Sequence, residues 1–272
     1  MMRRLTLAVV VASTLQAQDT TRYTVDAVQY ATIPFRVSGL IAGADTSRRL
    51  EISMAVWLVR GGGRNILIDA GFHRQRFVER WKPNDFVTPA EAVRRAGVAP
   101  EQITDIVVTH VHWDHADGID LFRNARVWIQ EDEYSYYVTP TGTVKERGIE
   151  PEVATMLHDL ESQGRLRLIA GDAKEFLPGI TAYTGGRHTF QSQYVGVRTA
   201  AGTVVIASDN LYLYENLDRR APIAQTFDST ANLRAQDRMR TIASDVRLIV
   251  PGHDPAVFQR FARPGERVAR IK

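Results

Sequence analysis

Thr109-His110-Val111-His112-Trp113-Asp114-His115 sets four metal-binding side chains within six positions, in the order His-x-His-x-Asp-His. The run leading into it, Ile103–Thr109, is apolar and β-branched and reads as a strand, so a strand end delivers the whole quartet. On an extended segment His110 and His112 point the same way, whereas the neighbours Asp114 and His115 must diverge. That geometry suits two cations. One would be held by His110, His112 and a third group, the other by Asp114, His115 and a third group. Imidazole and carboxylate donors suit zinc, and also iron, cobalt or manganese.

Three further candidates lie downstream: His188 in Gly-Gly-Arg-His-Thr, Asp209 in Ala-Ser-Asp-Asn and His253 in Pro-Gly-His-Asp. Each follows, or lies close to, a short apolar run of strand type. Alone, each would be an ordinary loop residue. Beside the quartet they complete a site in which ligands from several loops converge at one edge of a rigid scaffold. The expected division puts His188 with His110 and His112, and His253 with Asp114 and His115, with Asp209 bridging both. A two-metal site of this kind is expected to lower the pKa of a shared water towards neutrality and use it as the nucleophile.

The 272 residues are ample for a substantial core, and 24% charged with 44% hydrophobic is an ordinary globular composition. Net charge is +3, from 34 basic and 31 acidic residues, and the arginines are scattered rather than clustered. Nucleic-acid binding wants a concentrated patch, so it is not expected. Cysteine is absent, which excludes disulfides, thiolate zinc sites, a cysteine nucleophile and a lipid anchor on an N-terminal cysteine. Arg3 and Arg4, then the apolar stretch Leu5–Leu15 and the small Ala17, read as a signal peptide over residues 1–17. Residues 18–272 would then form a single metallo-hydrolase domain that is exported, periplasmic or secreted, with no stable membrane anchor.

Alternation over Tyr23–Gln29 predicts a half-buried strand, and Ala55–Val59 and Asn65–Ile68, joined by Gly61-Gly62-Gly63, predict a hairpin that ends in the turn Asp69-Ala70-Gly71. Thr88-Pro89-Ala90-Glu91 is a capping box opening a helix to about Ala96. Strands are predicted at Ala125–Gln130, Leu166–Ala170, Ile180–Thr184, Tyr194–Thr199, Thr203–Ala207 and Val246–Val250, with irregular helix from Glu131 to about Gln163. A helix from about Ser229 to Ala243 would turn Leu233, Met239 and Ile242 inward. The expected architecture is α/β, with two sheets face to face and helices outside.

The His-x-His-x-Asp-His run followed by His188, Asp209 and His253 resembles the metallo-β-lactamase superfamily over nearly the whole chain after the leader. The resemblance implies an αββα sandwich and a second-sphere role for Asp69, because Asp69-Ala70-Gly71 is similar to that family's Asp-Thr-Gly element. Within the superfamily, Asp209-Asn210-Leu211-Tyr212-Leu213-Tyr214-Glu215-Asn216 resembles the Asp-x-x-Tyr-x-x-Glu-Asn stretch of N-acyl-homoserine lactonases. It implies that Tyr212 contacts the substrate, and it gives Asp114 and Tyr212 the catalytic roles. Two departures stand out. Phe190-Gln191 replaces the Pro-Gly of that family's His-Thr-Pro-Gly-x-Gln, and Asp117 stands where His-Ala-Gly-Gly has a glycine.

The expected activity is opening of a lactone ring on two divalent ions, zinc foremost, with a small-molecule ester as substrate and room for a homodimer. The rivals are other hydrolases on the same metals (β-lactamase, phosphotriesterase, thioesterase, phosphodiesterase) and a di-iron redox protein. Residues 34–53 and 134–148 are expected to form the mouth of the cleft. Trp113 is placed either on the pocket wall or beneath the metal loop, His73 at the surface and His158 in solvent.

Overall fold

A computed structural model describes residues 21–272; the leader read at 1–17 lies outside the described residues. The strands in chain order are β1 (Thr24–Arg36), β2 (Arg49–Gly61), β3 (Arg64–Ile68), β4 (Asp105–Val107), β5 (Arg126–Gln130), β6 (Leu166–Ile169), β7 (Lys174–Leu177), β8 (Ile180–Tyr183), β9 (Tyr194–Thr199), β10 (Gly202–Ser208), β11 (Ile249–Pro251), β12 (Ala262–Gly265) and β13 (Val268–Arg270). They form an eight-stranded sheet, β12-β13-β1-β2-β3-β4-β5-β6, and a five-stranded sheet, β11-β10-β9-β8-β7. The helices are α1 (Gln75–Trp81), α2 (Pro89–Arg95), α3 (Trp113–Ala116), α4 (Glu131–Tyr137), α5 (Pro151–Ser162), α6 (Tyr214–Asp218), α7 (Ser229–Ile242) and α8 (Val257–Arg260).

Strand periodicity produces the layers. Along β2, Val56 and Leu58 face one apolar layer and Trp57 and Val59 another. Along β10, Val204 and Ile206 share the layer of Trp57, whereas Val205 and Ala207 face the layer that contains Met239 of α7. Both sheets are therefore buried on both faces, the order αββα, with the layer of Trp57, Val107, Val195 and Ile206 between the sheets. Burying a Val, Ile or Leu side chain contributes roughly 1.5–3 kcal/mol. Filled layers behind the strand ends thus offset the cost of desolvating a polar cluster at their rim.

Strands β3, β4, β5 and β6 run parallel, as do β10 and β11. Their carboxyl ends open on one edge, where ligands settle in parallel sheets. Within the β2–β3 hairpin, Gly62 and Gly63 carry the positive φ of 56° and 72° that such a tight turn demands. Thr88 caps α2 by accepting the Glu91 N–H at 3.2 Å, but the Glu91 side chain turns to Arg94 and Arg95, so the box is half made.

Several expectations need correction. β7 carries exposed Lys174 and Glu175 at a sheet edge and shows no alternation to read. Residues 246–248 form a 3₁₀ turn, so the strand after α7 is Ile249–Pro251, at a sheet edge, rather than Val246–Val250. The chain then returns through β12 and β13, which pairs antiparallel with β1. The inner side of α7 is Ala231, Asn232, Ala235, Gln236 and Met239, not Leu233. Asn232 is drawn inward because its amide spans the carbonyls of Gly186 and Asn210 and accepts the Ile223 N–H.

Candidate metal centre

Four strand ends on the shared edge each contribute one piece. β3 runs into Asp69, β4 into the histidine loop, β10 into Asp209 and β11 into His253, while His188 lies on the loop from β8 to β9. Two close approaches make this convergence possible. A Cβ at Gly118 would stand 2.3 Å from the Ala70 carbonyl oxygen, and one at Gly252 would stand 2.8 Å from the Ser208 carbonyl. Asp69 and Ser208 both sit at positive φ, 62° and 48°, where the strands break off towards the site.

The seven side chains gather into two groups of potential ligands, His110, His112, His188 and Asp209 in one, Asp114, His115, Asp209 and His253 in the other. In the first, His112 Nδ1 lies 3.1 Å from His110 Nε2 and 2.9 Å from His188 Nε2, and Asp209 Oδ2 lies 3.7 and 3.3 Å from those same Nε2 atoms. In the second, Asp209 Oδ1 is 3.3 Å from His115 Nε2 and 3.0 Å from His253 Nε2, with Asp114 Oδ2 3.6 and 3.7 Å from those nitrogens. A tetrahedral zinc ion with ligands at about 2.0–2.1 Å sets them about 3.3 Å apart. Both groups match that spacing, and Asp209 turns one oxygen to each.

The outer nitrogens fix which way the lone pairs point. His188 Nδ1 donates to the Gln225 carbonyl at 2.9 Å and His253 Nδ1 to the Ser53 carbonyl at 3.0 Å. His115 Nδ1 donates to Asp69 Oδ2 at 2.8 Å. Thr109 gives its hydroxyl proton to Asp69 Oδ2 at 2.9 Å, so its oxygen accepts from His110 Nδ1 at 3.0 Å. In its neutral form each of these rings therefore aims a bare nitrogen inward, the orientation a cation requires. Asp209 Oδ1 and His115 Nε2, although 3.3 Å apart, are misaligned, and both are buried without a hydrogen-bond partner. The donor set fits divalent metal ions.

Charge separates the two groups. Burial holds His110 and His112 below the ordinary imidazole pKa and pulls His188 down to about 3. Burial also opposes protonation of His115 and His253, but Asp209 and Asp114 outweigh it and hold both above the ordinary value. Burial works against ionised Asp209, yet His115 and His253 keep it well below the usual carboxylate range.

Above the groups lies a cleft of about 130 Å³ whose wall is apolar: Ile33, Phe35, Leu40, Ile52 and Met54, with Trp81 and Trp113. Among the described residues lining it, none is Lys or Arg. A larger hollow of about 620 Å³ between the residues after α3 and those of α5 contains no converging ligand set among the described residues. Phe35, Leu40 and Ile52 come from the expected mouth at 34–53, but residues 134–148 do not line the cleft. Instead α4 props the His188 loop from below, because its aromatic residues pack inward: Tyr136 stacks on Phe190 at 3.9 Å between centroids. Trp113 takes both expected roles, lining the cleft and stacking on Trp81 at 5.3 Å and Phe77 at 4.8 Å. Tyr212 borders the cleft, its hydroxyl 3.3 Å from His188 Nδ1, and burial raises its pKa so the proton stays on.

Asp69 supports the centre directly. Its carboxylate accepts the Thr109 N–H at 2.8 Å, both neighbouring hydroxyls (Thr109 and Ser208) and the His115 ring N–H. Asp117 is buried and accepts the N–H groups of His73 and Arg74, at 2.9 and 3.1 Å, tying the segment after the Asp69 turn to the metal loop. His73 pairs with Asp120 outside the cleft. His158 is half-buried against Gly142 rather than solvated, since the glycine leaves the ring room to pack. Glu133 was not legible as a site residue: it is fully buried beneath both ligand loops of the first group. The run Glu131-Asp132-Glu133 reads only as an acidic first helical turn.

Residues 54–253 match the metallo-beta-lactamase superfamily. The chain belongs to that superfamily. It is 29% identical over 164 residues to an N-acyl homoserine lactonase of a Bacillus species, a match spanning 60% of each chain, so the chain covers less than two thirds of that relative's length. It is 30% identical to metallo-beta-lactamase domain-containing protein 1 of Mus musculus, over 60% of this chain and 53% of that protein. Its fold matches a variant of AiiA from B. thuringiensis with N-decanoyl-L-homoserine bound at the active site, with a TM-score of 0.73, 20% identity, and coverage of 89% and 98%. It also matches the hydrolase AbOPH, with a TM-score of 0.68 and 19% identity over 94% of this chain and 95% of that one. Among the described residues, no helix is long and apolar enough to cross a membrane.

Proposed function

We propose that this superfamily member is a binuclear metal-dependent hydrolase that opens neutral, apolar lactones, N-acyl-homoserine lactones foremost. The observation that carries the reading is Asp209, shared between two ligand groups at the floor of a cleft with apolar walls and no lining Lys or Arg. An anion at the reacting centre would be met by two bound ions, but a charged group held away from them against the wall, such as a β-lactam carboxylate, would find no side-chain cation there, at a desolvation cost. The names of the lactonase relatives agree with a cyclic ester. A neutral phosphotriester meets the same apolar wall and is the second reading.

His110, His112 and His188 would hold one ion, Asp114, His115 and His253 the other, with Asp209 between them; zinc is the ion the donor set suits best. Bound divalent ions supply Lewis acidity, lowering the pKa of water towards neutrality and drawing charge from a carbonyl oxygen. The protein supplies orientation. Tyr212 keeps its proton and donates to the substrate oxygen on which charge develops. Asp114, its side chain 14% exposed against 5% for Asp209, is the ligand carboxylate open enough to carry a proton to the departing ring oxygen. The apolar wall takes the acyl chain and excludes water.

Proton release on addition of an N-acyl-homoserine lactone, a cephalosporin, a phosphodiester and a phosphotriester tests the reading. Chelator-sensitive hydrolysis of the lactone, with the cephalosporin refused, is expected. Full activity in metal-free protein, or faster turnover of the cephalosporin, would sink it.

A further inference from the structure

We propose that Glu133 is a positioning residue that sets the distance between the two loops supplying the first ligand group. The proposal rests on the ligand assignment above. Glu133 projects from α4, and its side chain is fully buried. One carboxylate oxygen accepts the N–H of Val111 at 3.3 Å, the residue between His110 and His112. The same oxygen accepts the hydroxyl of Thr189 at 2.6 Å, the residue after His188. The other oxygen accepts the N–H of Gln191 at 2.7 Å. One carboxylate thus spans both loops and is met only by donors.

The substitution of Phe190-Gln191 for Pro-Gly explains why such a strut is needed here. A proline fixes its own φ near −65° and has no N–H to satisfy. Phe190 has neither property, and α4 supplies both from outside. Its N–H is taken by the Tyr137 hydroxyl at 3.3 Å, and its ring lies flat on Tyr136, 3.9 Å between centroids at 2°. Gln191 is held by Glu133 itself. The stiffness that the His188 loop lacks in its own backbone is lent by one helix, and Glu133 alone extends that hold to the His110–His112 segment.

Glutamine at 133 is nearly the same shape but turns an NH₂ group towards one of three donors, leaving that donor unpaired. The test loads the protein with zinc, exposes it to graded chelator and measures retained zinc per chain by elemental analysis. Glu133→Gln is expected to release one ion at about 10–100-fold lower chelator concentration than wild type, the range seen for outer-sphere partners, and to keep the other. Thr189→Val should show a smaller loss and Thr189→Ser none. Tyr134→Phe removes the bond from the neighbouring tyrosine to Glu161, 2.7 Å, and touches neither loop. It should change thermal stability without changing retention. Equal retention by wild type and Glu133→Gln overturns the inference, as does joint release of both ions by Glu133→Gln and Tyr134→Phe alike. Wild-type protein that holds no zinc overturns the ligand assignment as well, so the two failures are distinguishable.

Discussion

His115 and His253 reach Asp209 Oδ1 with Asp114 beside them and Asp69 behind, whereas His110 and His188 meet Asp209 Oδ2, with His112 beside them and no carboxylate of their own. Among the outer nitrogens His115 repeats the contrast, although His253 leans on a peptide carbonyl as His188 does. His115 leans on a carboxylate, while His110 and His188 lean on a threonine oxygen and a peptide carbonyl. Charge steadies one half of the centre. Neutral hydrogen bonds and a distant strut steady the other. Inside a protein the first device tolerates small displacements, because Coulomb attraction falls slowly with distance, while the second depends on alignment within a few tenths of an ångström.

The largest effect should come from the residue that both halves share. Asp209→Asn removes a charge facing four imidazoles, and we expect kcat/KM to fall about 10³-fold or more, roughly 4 kcal/mol in the barrier, with loss of bound zinc. If zinc per chain is unchanged and turnover stays within about tenfold, the two groups are not coupled through this carboxylate. Asp69→Asn separates them instead. The amide would present N–H to the Thr109 and Ser208 hydroxyls or to His115, and we expect zinc affinity to fall about 10–100-fold, more in the charged half, which Asp69 meets directly, than in the neutral half, which it reaches through Thr109. Chelator competition reads this out, and an equal loss in both halves would erase the distinction.

That contrast also explains what could be read in advance. Ligand side chains are few in kind, and their spacing within Thr109–His115 already implies two directions of approach. The loops at 188, 209 and 253 were legible because each follows an apolar run, and strand ends are where a parallel sheet opens. Asp69 was legible only through the likeness of its turn, Asp69-Ala70-Gly71, to the superfamily's Asp-Thr-Gly element. Glu133 was not, because three acidic residues begin α4 and only tertiary packing selects which one turns inward. The amide face of α7 escaped for the same reason, since no hydrophobic pattern marks a residue buried for its hydrogen bonds, and edge strand β7 escaped because its exposed Lys174 and Glu175 leave no alternation.

Tyr212 belongs to neither half as a ligand, so it tests whether the comparison is about holding metal or about turnover. Tyr212→Phe should lower kcat about tenfold, less than loss of a lone oxyanion donor because bound ions would share the developing charge, with zinc content unchanged. Loss of zinc in that variant would make the tyrosine a support for His188 instead, through its 3.3 Å contact with Nδ1.

A further pH slope should come from the strut of the neutral half. Burial pushes the Glu133 carboxyl up to about 7, against three hydrogen bonds that favour its charged form. In the metal-free protein the folded chain therefore keeps a proton that the unfolded chain releases between about pH 4.5 and 7. The folded state binds more protons across that window, so stability must fall as pH rises through it and level off above. The drop is on the order of 3 kcal/mol. Burial of His188 gives the opposite sign, stability lost as pH falls from about 6.5 towards 3, and this remains in any Glu133 variant. Subtracting the Glu133→Gln curve from wild type thus isolates the carboxyl, measured as urea midpoints from about pH 5 to 8. Two bound cations nearby would favour the ionised carboxyl and flatten the difference. A difference curve that is flat without metal, or that rises with pH, would mean that the carboxyl is already ionised there, and that charge steadies both halves alike.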